Sequence, residues 1–338
     1  MQKKTKKVYE SLRPFIYAFL SLVILCVFIF SLYSLSFEKP KFELGVSFTK
    51  SQAEYLGLDW KKVYLAALDD LKVKNIRLSM PWNDVEPIRD EYRFADYDWM
   101  IEEAQKRKVD IILTLGRRTP RWPECHDPSW LGEFSGEYAN DRVLKLLRAE
   151  IAHFKKYNNI KLWQVENEPL LEFYGVCPKP DINFLRKEVS LAQTLDSRKI
   201  MVTDSGELSS WFGAANTADV FGTSIYRVVY NQYLGYSRYF FPPVLYNLKA
   251  RIAGVEPKNV IVSELQTEPW SNEGLKTMRL EEQLKFMNAE ELAYQVSFAR
   301  RAGFAEAYMW GVEWWYWMKT NHGDDSLWNT AKELIQLK

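Results

Sequence analysis

Eight short apolar segments, separated by longer amphipathic stretches, constrain the fold of this 338-residue chain more than any other feature. They lie at residues 43–48, 75–80, 110–115, 160–166, 199–203, 220–226, 260–265 and 305–310. Nearly continuous apolar runs are typical of parallel strands that are covered on both faces. Helical spacing of apolar residues appears at 60–71, 97–106, 141–157, 289–302 and 325–336. This alternation predicts an α/β fold, a (β/α)8 TIM barrel spanning residues 41–338.

A doubly wound open sheet is the alternative fold. It usually has fewer strands, and no GxGxxG follows the first predicted strand here. Two connections are long, 227–254 after the sixth strand and 266–288 after the seventh. Long segments within a compact domain are often binding loops, so these two are candidates for substrate contact.

The N-terminus predicts one transmembrane helix before the barrel. Residues 15–35 carry no charge and are long enough to cross a bilayer. The preceding basic segment, residues 1–14, contains Lys3, Lys4, Lys6, Lys7 and Arg13. This charge favours a cytoplasmic N-terminus and an extracytoplasmic barrel at the cell membrane. A cleavable signal peptide is the rival interpretation, but Ser34 and Ser36 make a poor cleavage site, which favours an uncleaved anchor.

The remaining composition gives no indication of a nucleic acid, metal or cofactor. The net charge is +1, and no basic stripe follows the first few residues. His126, His153 and His322 form no metal-binding pattern, and the chain has no HExxH, phosphate loop or nucleophile elbow. Cys125 and Cys177 lie in the predicted exported part, where a disulfide persists. Their spacing leaves open whether they pair or remain free thiols.

Polar residues stand where two of the predicted strands end. The fourth strand, in LWQVENEP, ends at Asn167, Glu168 and Pro169, and the seventh, in NVIVSELQTEPW, carries Glu264. Reactive groups of such barrels stand at the C-terminal ends of the strands, so these side chains should converge on one rim. Two carboxyl groups across a pocket suit glycoside hydrolysis, in which one donates a proton and the other attacks or activates water. Their environments must set the two pKa values apart.

At these residues the chain resembles the clan A, or 4/7, retaining glycoside hydrolases, in particular cellulase-like and β-galactosidase-like members. Those barrels carry an acid/base Glu after an Asn at strand four and a nucleophilic Glu at strand seven. The stretch WNDVEPIRDEYRFADYD followed by LTLGRRTPRWP is similar to the same members, although Asp90 and Glu91 stand near an expected glycine. The resemblance implies that Glu168 is the acid/base and Glu264 the nucleophile.

The resemblance also implies roles around the pair. Arg77 would steady the nucleophile, Tyr226 would bond it, Asn167 would bond the sugar 2-hydroxyl, and Trp310 would floor the sugar subsite. Trp82, Trp122 and Trp270 follow strands and are candidate sugar platforms, with loop packing as the alternative. The expected function is a membrane-anchored retaining hydrolase of an oligo- or polysaccharide, without a cofactor. A transglycosylase using the same residues, or a non-catalytic carbohydrate-binding barrel, is the alternative.

Several neighbouring charges have two interpretations each. Glu166 is either a rival acid, since it shares a strand face with Glu168, or a paired structural carboxylate. Glu268 competes with Glu264 as nucleophile but has no strand behind it, which favours a loop position. Arg117 and Arg118 either reach substrate hydroxyls or an acidic sugar, or are solvated charges.

Overall fold

The computed structural model describes residues 2–35, 37, 41–132, 136–173, 175–231, 233, 235–271 and 273–337, without the side chains of residues 2–11. The expectations that concern Ser36, Lys338 and the lysine side chains before residue 12 lie outside this description.

Within the described residues, eight parallel strands close into a barrel, which confirms the predicted fold. The strands are Glu43–Phe48, Asn75–Ser79, Asp110–Leu115, Ile160–Val165, Lys199–Asp204, Val220–Ile225, Val260–Gln266 and Glu306–Trp310. They pair in chain order, and the eighth strand closes on the first, with Glu43 opposite Glu306 and Ser47 opposite Trp310. All strands therefore end at the same rim, where the chemistry of such a barrel is located.

Helices surround the barrel. They lie at Lys50–Tyr55, Trp60–Ala66, Trp82–Val85, Ala95–Lys106, Glu137–Phe154, Ile182–Leu195, Val244–Ile252, Leu280–Phe286, Ala289–Ala302, Val312–Asn321 and Ser326–Gln336, with single turns of other types at Ala67–Leu71, Ser129–Leu131 and Pro257–Asn259. The helix predicted at 141–157 lies instead at Glu137–Phe154. The prediction missed its first turn because the sequence EYAN is too short to show apolar periodicity.

The long connection after the sixth strand is folded onto the barrel. It contains an antiparallel hairpin, Val228–Asn231 with Gly235–Arg238, and then the helix Val244–Ile252. Gln266, at the end of the seventh strand, accepts hydrogen bonds from the backbone N–H groups of Arg227 and Val228, each at 2.9 Å. Its side-chain amide donates to the Val228 carbonyl at 2.6 Å. This amide therefore joins the start of the hairpin to the rim.

The N-terminal helix, Gln2–Ser34, precedes the barrel. Its segment Leu12–Ser34, 23 residues long, is apolar enough to cross a membrane and is not buried against the domain. A signal sequence has the same properties. Beyond this helix, the Phe37 N–H donates to the Arg301 carbonyl at 3.1 Å, and the Arg301 guanidinium donates to the carbonyl of Tyr33. The end of the apolar helix thus contacts the end of helix Ala289–Ala302.

Cys125 and Cys177 form a disulfide, which settles the alternative that their spacing leaves open. The bond joins the loop after the third strand to the loop after the fourth. Cys125 is buried in this arrangement. Both loops begin at the rim that carries Asn167 and Glu168, so the cross-link restrains one side of that rim.

Replacing both cysteines of this disulfide with serine should destabilise the domain. The cysteines are 52 residues apart. Closing a loop of this length lowers the entropy of the unfolded chain, which stabilises the folded state by about 4 kcal/mol of free energy. Thermal unfolding of the full chain in detergent measures the change, with Cys26→Ser, in the apolar helix, as the control. An unchanged midpoint for the double variant would contradict the expectation.

Candidate active site

Glu264 lies on the seventh strand with hydrogen-bond donors at both carboxylate oxygens. Arg77 Nη1 is 2.9 Å from Oε1, and the Tyr226 hydroxyl donates to Oε2 at 3.0 Å. The side chain is 7% exposed. Both oxygens of Glu264 thus act as hydrogen-bond acceptors, one from a guanidinium and one from a phenol.

Arg77 fixes the relative position of the two glutamate-bearing strands. It lies on the second strand, is 1% exposed, and points into the barrel. Its Nε donates to Gln164 Oε1 at 2.7 Å, and its Nη2 donates to Asn167 Oδ1 at 2.6 Å. One planar guanidinium thus binds residues of the fourth strand and Glu264 at once, a geometry that lysine cannot provide.

Glu168 has the opposite environment. Burial and the negative charges of Glu264 and Glu124 raise the pKa of its carboxyl well above its usual range. Its Oε1 accepts a hydrogen bond from the Ser224 hydroxyl at 2.8 Å, and its backbone N–H donates to Thr203 Oγ1 at 2.9 Å. A raised pKa favours the protonated carboxyl, which is the form that a general acid requires.

Glu166 is a structural carboxylate. Its oxygens accept hydrogen bonds from the backbone N–H groups of Arg117 and Arg118, at 2.7 and 2.6 Å. It also packs on Gly116, where a β-carbon would lie 2.2 Å from Glu166 Oε1. The backbone has positive φ at Glu166 (61°) and Glu168 (45°), so the regular strand alternation stops and the two side chains diverge. Both carboxylate oxygens of Glu166 are thus used in hydrogen bonds to the loop after the third strand.

The prediction that Trp82 is a sugar platform is wrong, because its ring is buried. It is 0% exposed, and its ring packs edge-on against Trp130 with centroids 5.7 Å apart. Its Nε1 donates to Glu86 Oε2 at 2.7 Å. Trp122, in contrast, is 70% exposed, so its ring is accessible. Trp270 packs edge-on against Tyr226, with centroids 5.6 Å apart.

Trp310 does not present the open ring face that its expected role requires. It is 6% exposed, and the Arg121 guanidinium lies 3.9 Å from the centroid of its ring. Its Nε1 donates to Glu268 Oε1 at 2.9 Å. Arg121 also forms ion pairs with Glu268 and, at 3.2 Å, with Glu313. Glu268 is therefore a buried ion-pair partner rather than a loop-lining group or a nucleophile.

The remaining predicted charges have protein partners. Arg117 forms an ion pair with Asp127, with Nε 2.7 Å from Oδ1. Arg118 is 4% exposed and donates to the Leu171 carbonyl at 2.8 Å. Neither side chain is a solvated charge, and both support the loops beside the fourth strand.

One pocket at the C-terminal rim is lined by both candidate catalytic glutamates, Glu168 and Glu264. Its lining consists of Glu124, Asn167, Glu168, Leu171, Ser205, Glu207, Leu208, Ser224, Tyr226, Val229, Tyr239, Glu264 and Trp270. Arg77, Trp82, Trp122 and Trp310 are not part of this lining. The two candidate catalytic glutamates therefore face the same cavity, with Tyr226 and Asn167 beside them.

Sequence reasoning missed Glu124 and Glu207. The Asn167 side-chain amide donates to Glu124 Oε2 at 3.1 Å. Burial and the charge of Glu264 raise the pKa of Glu124 to about 7. Burial also raises the pKa of Glu207 to about 7, although hydrogen bonds from the Tyr246 hydroxyl and the Tyr226 N–H lower it. Neither glutamate ends a strand, so the strand-end rule that found Glu168 and Glu264 gives no signal for them.

No family model matches the chain, and no curated protein matches it. Many solved structures do. A β-galactosidase from the haloarchaeon Halorubrum lacusprofundi matches with a TM-score of 0.58 and 13% identity over 79% of this chain and 52% of that protein. A GH5_18 enzyme from Bifidobacterium longum subsp. longum, in complex with Manβ1-4GlcNAc, has a TM-score of 0.58 and 12% identity over 80% of this chain and 68% of its own.

A third similar structure is a family 10 endo-β-1,4-xylanase from Gloeophyllum trabeum. It has a TM-score of 0.56 and 14% identity over 90% of this chain and 99% of its own. The chain spans about half the length of the haloarchaeal β-galactosidase but nearly all of this xylanase. At these identities the likeness concerns the fold. The chain thus has the (β/α)8 barrel fold of the clan A glycoside hydrolases.

Proposed function

We propose that this chain is a retaining glycoside hydrolase that cleaves an oligo- or polysaccharide. One observation carries the proposal: two glutamates at the ends of the fourth and seventh strands face one pocket in opposite electrostatic environments. Glu264 meets the donors Arg77 and Tyr226, whereas the pKa of Glu168 is raised by burial. The fold, shared with xylanases and a β-galactosidase, supports a carbohydrate substrate.

In the first step, Glu264 attacks the anomeric carbon while Glu168 donates a proton to the leaving oxygen. This yields a covalent glycosyl-enzyme. The ester at Glu264 no longer carries the charge that helped to raise the pKa of Glu168. The pKa of Glu168 therefore falls, and the residue takes a proton from the attacking water in the second step. A double displacement of this kind requires carboxyl groups about 5–5.5 Å apart.

We also propose that residues 15–35 hold the barrel at the outer face of a cell membrane, with the N-terminus in the cytoplasm. The apolar helix Leu12–Ser34 supports this topology, and the disulfide suits an oxidising compartment. Protease treatment of intact cells tests the placement. Digestion of the barrel without permeabilisation is expected. Full protection, or a barrel found free in the medium before any protease is added, would contradict the anchor.

The test of the enzyme class is mass spectrometry of the full chain in detergent after incubation with activated 2-deoxy-2-fluoro glycosides. These compounds trap a glycosyl-enzyme because the fluorine slows its hydrolysis. We expect one added sugar that maps to Glu264. An adduct on another carboxylate would refute the assigned nucleophile, and no adduct from any sugar would favour a binding protein. Product analysis with an added acceptor sugar then separates hydrolysis from transglycosylation.

Ser224→Ala should move the alkaline limb of the kcat/KM profile to higher pH. The Ser224 hydroxyl donates to Glu168 and so favours the ionised carboxylate. Its removal raises the pKa of Glu168, which then stays protonated over a wider pH range, and activity is lost only at higher pH. Rates measured across the alkaline range test this, with Ser51→Ala on an exposed helix as the control. A shift to lower pH would contradict the acid role.

A further inference from the structure

A double-displacement mechanism uses two carboxyl groups, but the pocket contains a third, Glu124, beside them. Its Oε2 accepts a hydrogen bond from the Asn167 side-chain amide at 3.1 Å. Arg77 donates hydrogen bonds both to Asn167 and to the candidate nucleophile Glu264. Arg118 forms an ion pair with Glu124 on the protein side, with Nε 3.7 Å from Oε2. Glu124 is therefore one hydrogen-bonded residue away from the site of attack.

The loop after the third strand is built to hold Glu124 in this position. The backbone has positive φ at Arg121 (93°) and Glu124 (71°), and the Glu124 N–H donates to the Arg121 carbonyl at 2.7 Å. Gly175 packs against it so closely that a β-carbon there would lie 2.7 Å from Glu124 Cβ. The next residue, Cys125, is cross-linked to Cys177. Such strained positions persist only where the surroundings enforce them.

The charged groups that face the cavity are all acidic. Among the described residues that line it, Glu124, Glu168, Glu207 and Glu264 are carboxylic acids, and none is Arg, Lys or His. The nearby cations Arg77 and Arg118 are 1% and 4% exposed and are not part of this lining. Burial and the charge of Glu264 raise the pKa of Glu124 to about 7, so a ligand cation at this point would favour its ionised form. An anionic ligand would find no cationic side chain among the described residues of this lining.

We propose that Glu124 makes the pocket selective for an amino sugar, whose protonated amine lies on the carbon next to the anomeric carbon. This inference rests on the proposed function, because Glu264 marks the position of the anomeric carbon. Asn167 is bonded both to Arg77, which holds Glu264, and to Glu124, so the adjacent carbon would lie beside Asn167 and Glu124. Amino sugars commonly carry their amine on this carbon. An ammonium group donates a charge-assisted hydrogen bond to Glu124. A hydroxyl donates a weaker bond, an N-acetyl group has no charge, and a uronic acid is repelled.

Binding of matched tetrasaccharides to the full chain in detergent tests this selectivity. The Glu168→Gln background prevents turnover, and calorimetry at neutral pH compares β-1,4-linked tetramers of glucosamine, glucose and N-acetylglucosamine. We expect the glucosamine tetramer to bind about tenfold more tightly than the glucose tetramer. Adding Glu124→Gln should bring this ratio close to one, whereas Glu256→Gln, on an exposed surface pair, should leave it unchanged.

Equal binding of the glucosamine and glucose tetramers would overturn the inference, as would a ratio that survives Glu124→Gln, or no binding of any tetramer. The 2-fluoro sugars used for covalent trapping lack the amine, so hydrolysis of the glucosamine tetramer by the wild-type chain and by Glu264→Ala tests the hydrolase assignment separately. An adduct without amino-sugar preference leaves the hydrolase assignment intact and removes the selectivity. Amino-sugar preference without hydrolysis that depends on Glu264 supports the selectivity and removes the hydrolase assignment.

Discussion

Replacing Glu264 with alanine should lower kcat by about 10⁴-fold or more, because no other group can form the glycosyl-enzyme. The loss should be the same for good and poor leaving groups, since every substrate requires the nucleophile. Arg77 and Tyr226 would lose the carboxylate that they hold at 2.9 and 3.0 Å, but neither replaces it as a nucleophile. Steady-state kinetics on the glycoside identified by covalent trapping provides the measurement.

Two controls make the Glu264 result specific. Glu256→Ala removes a glutamate from an exposed ion pair with Lys258 and should leave kcat unchanged. Azide added to Glu264→Ala can attack the vacated side of the sugar, and the product should be a glycosyl azide of inverted configuration. If Glu264→Ala retains a tenth of the activity, the nucleophile lies elsewhere and the double displacement through Glu264 is wrong.

The barrel was predictable from the sequence because its strands are covered on both faces. Segments such as 110–115 (DIILTL) are mostly apolar, and the structure has a strand there with the same bounds. When eight parallel strands alternate with helices, the strand ends meet at one rim. The location of Glu168 and Glu264 at this rim follows from their positions at the ends of two strands. This inference needs only a local pattern and one rule of topology.

Side-chain directions beyond the strand ends were not predictable in this way. Trp82 and Trp270 both follow a strand, yet the first is buried beside Glu86 and the second lines the pocket. Their directions depend on how each loop packs, which involves residues distant in sequence. Glu166 and Glu168 show the same limit. Strand alternation places both side chains on one face, but positive φ at each position separates them.

The surroundings of the pocket depend on contacts between loops. Arg121 reaches Glu268 and Glu313, which are more than a hundred residues away, and covers Trp310. Glu124 is held in position by packing against Gly175 and by the disulfide at the next residue, Cys125. No local pattern identifies such partners, so the sequence indicates a catalytic pair but not the groups that select a substrate.

Glu168→Ala should separate substrates by their leaving groups. A poor leaving group, such as a second sugar, needs the proton from Glu168, so kcat/KM should fall by about 10²–10⁴-fold. A dinitrophenyl glycoside departs without protonation, and its kcat/KM should change little. Its kcat should still fall, since the second step lacks the base. Azide needs no base, and it should restore kcat for this substrate and give a glycosyl azide of retained configuration.

The pH dependence and the substrate comparison together test the acid role of Glu168. Burial and the charges of Glu264 and Glu124 keep its pKa above its usual range, so the wild-type kcat/KM should decline as rising pH removes the proton. The variant has no such proton and should lose this alkaline limb. Equal losses on the dinitrophenyl glycoside and on the disaccharide would contradict the assignment. So would an alkaline limb that persists in the variant, because another acid would then supply the proton.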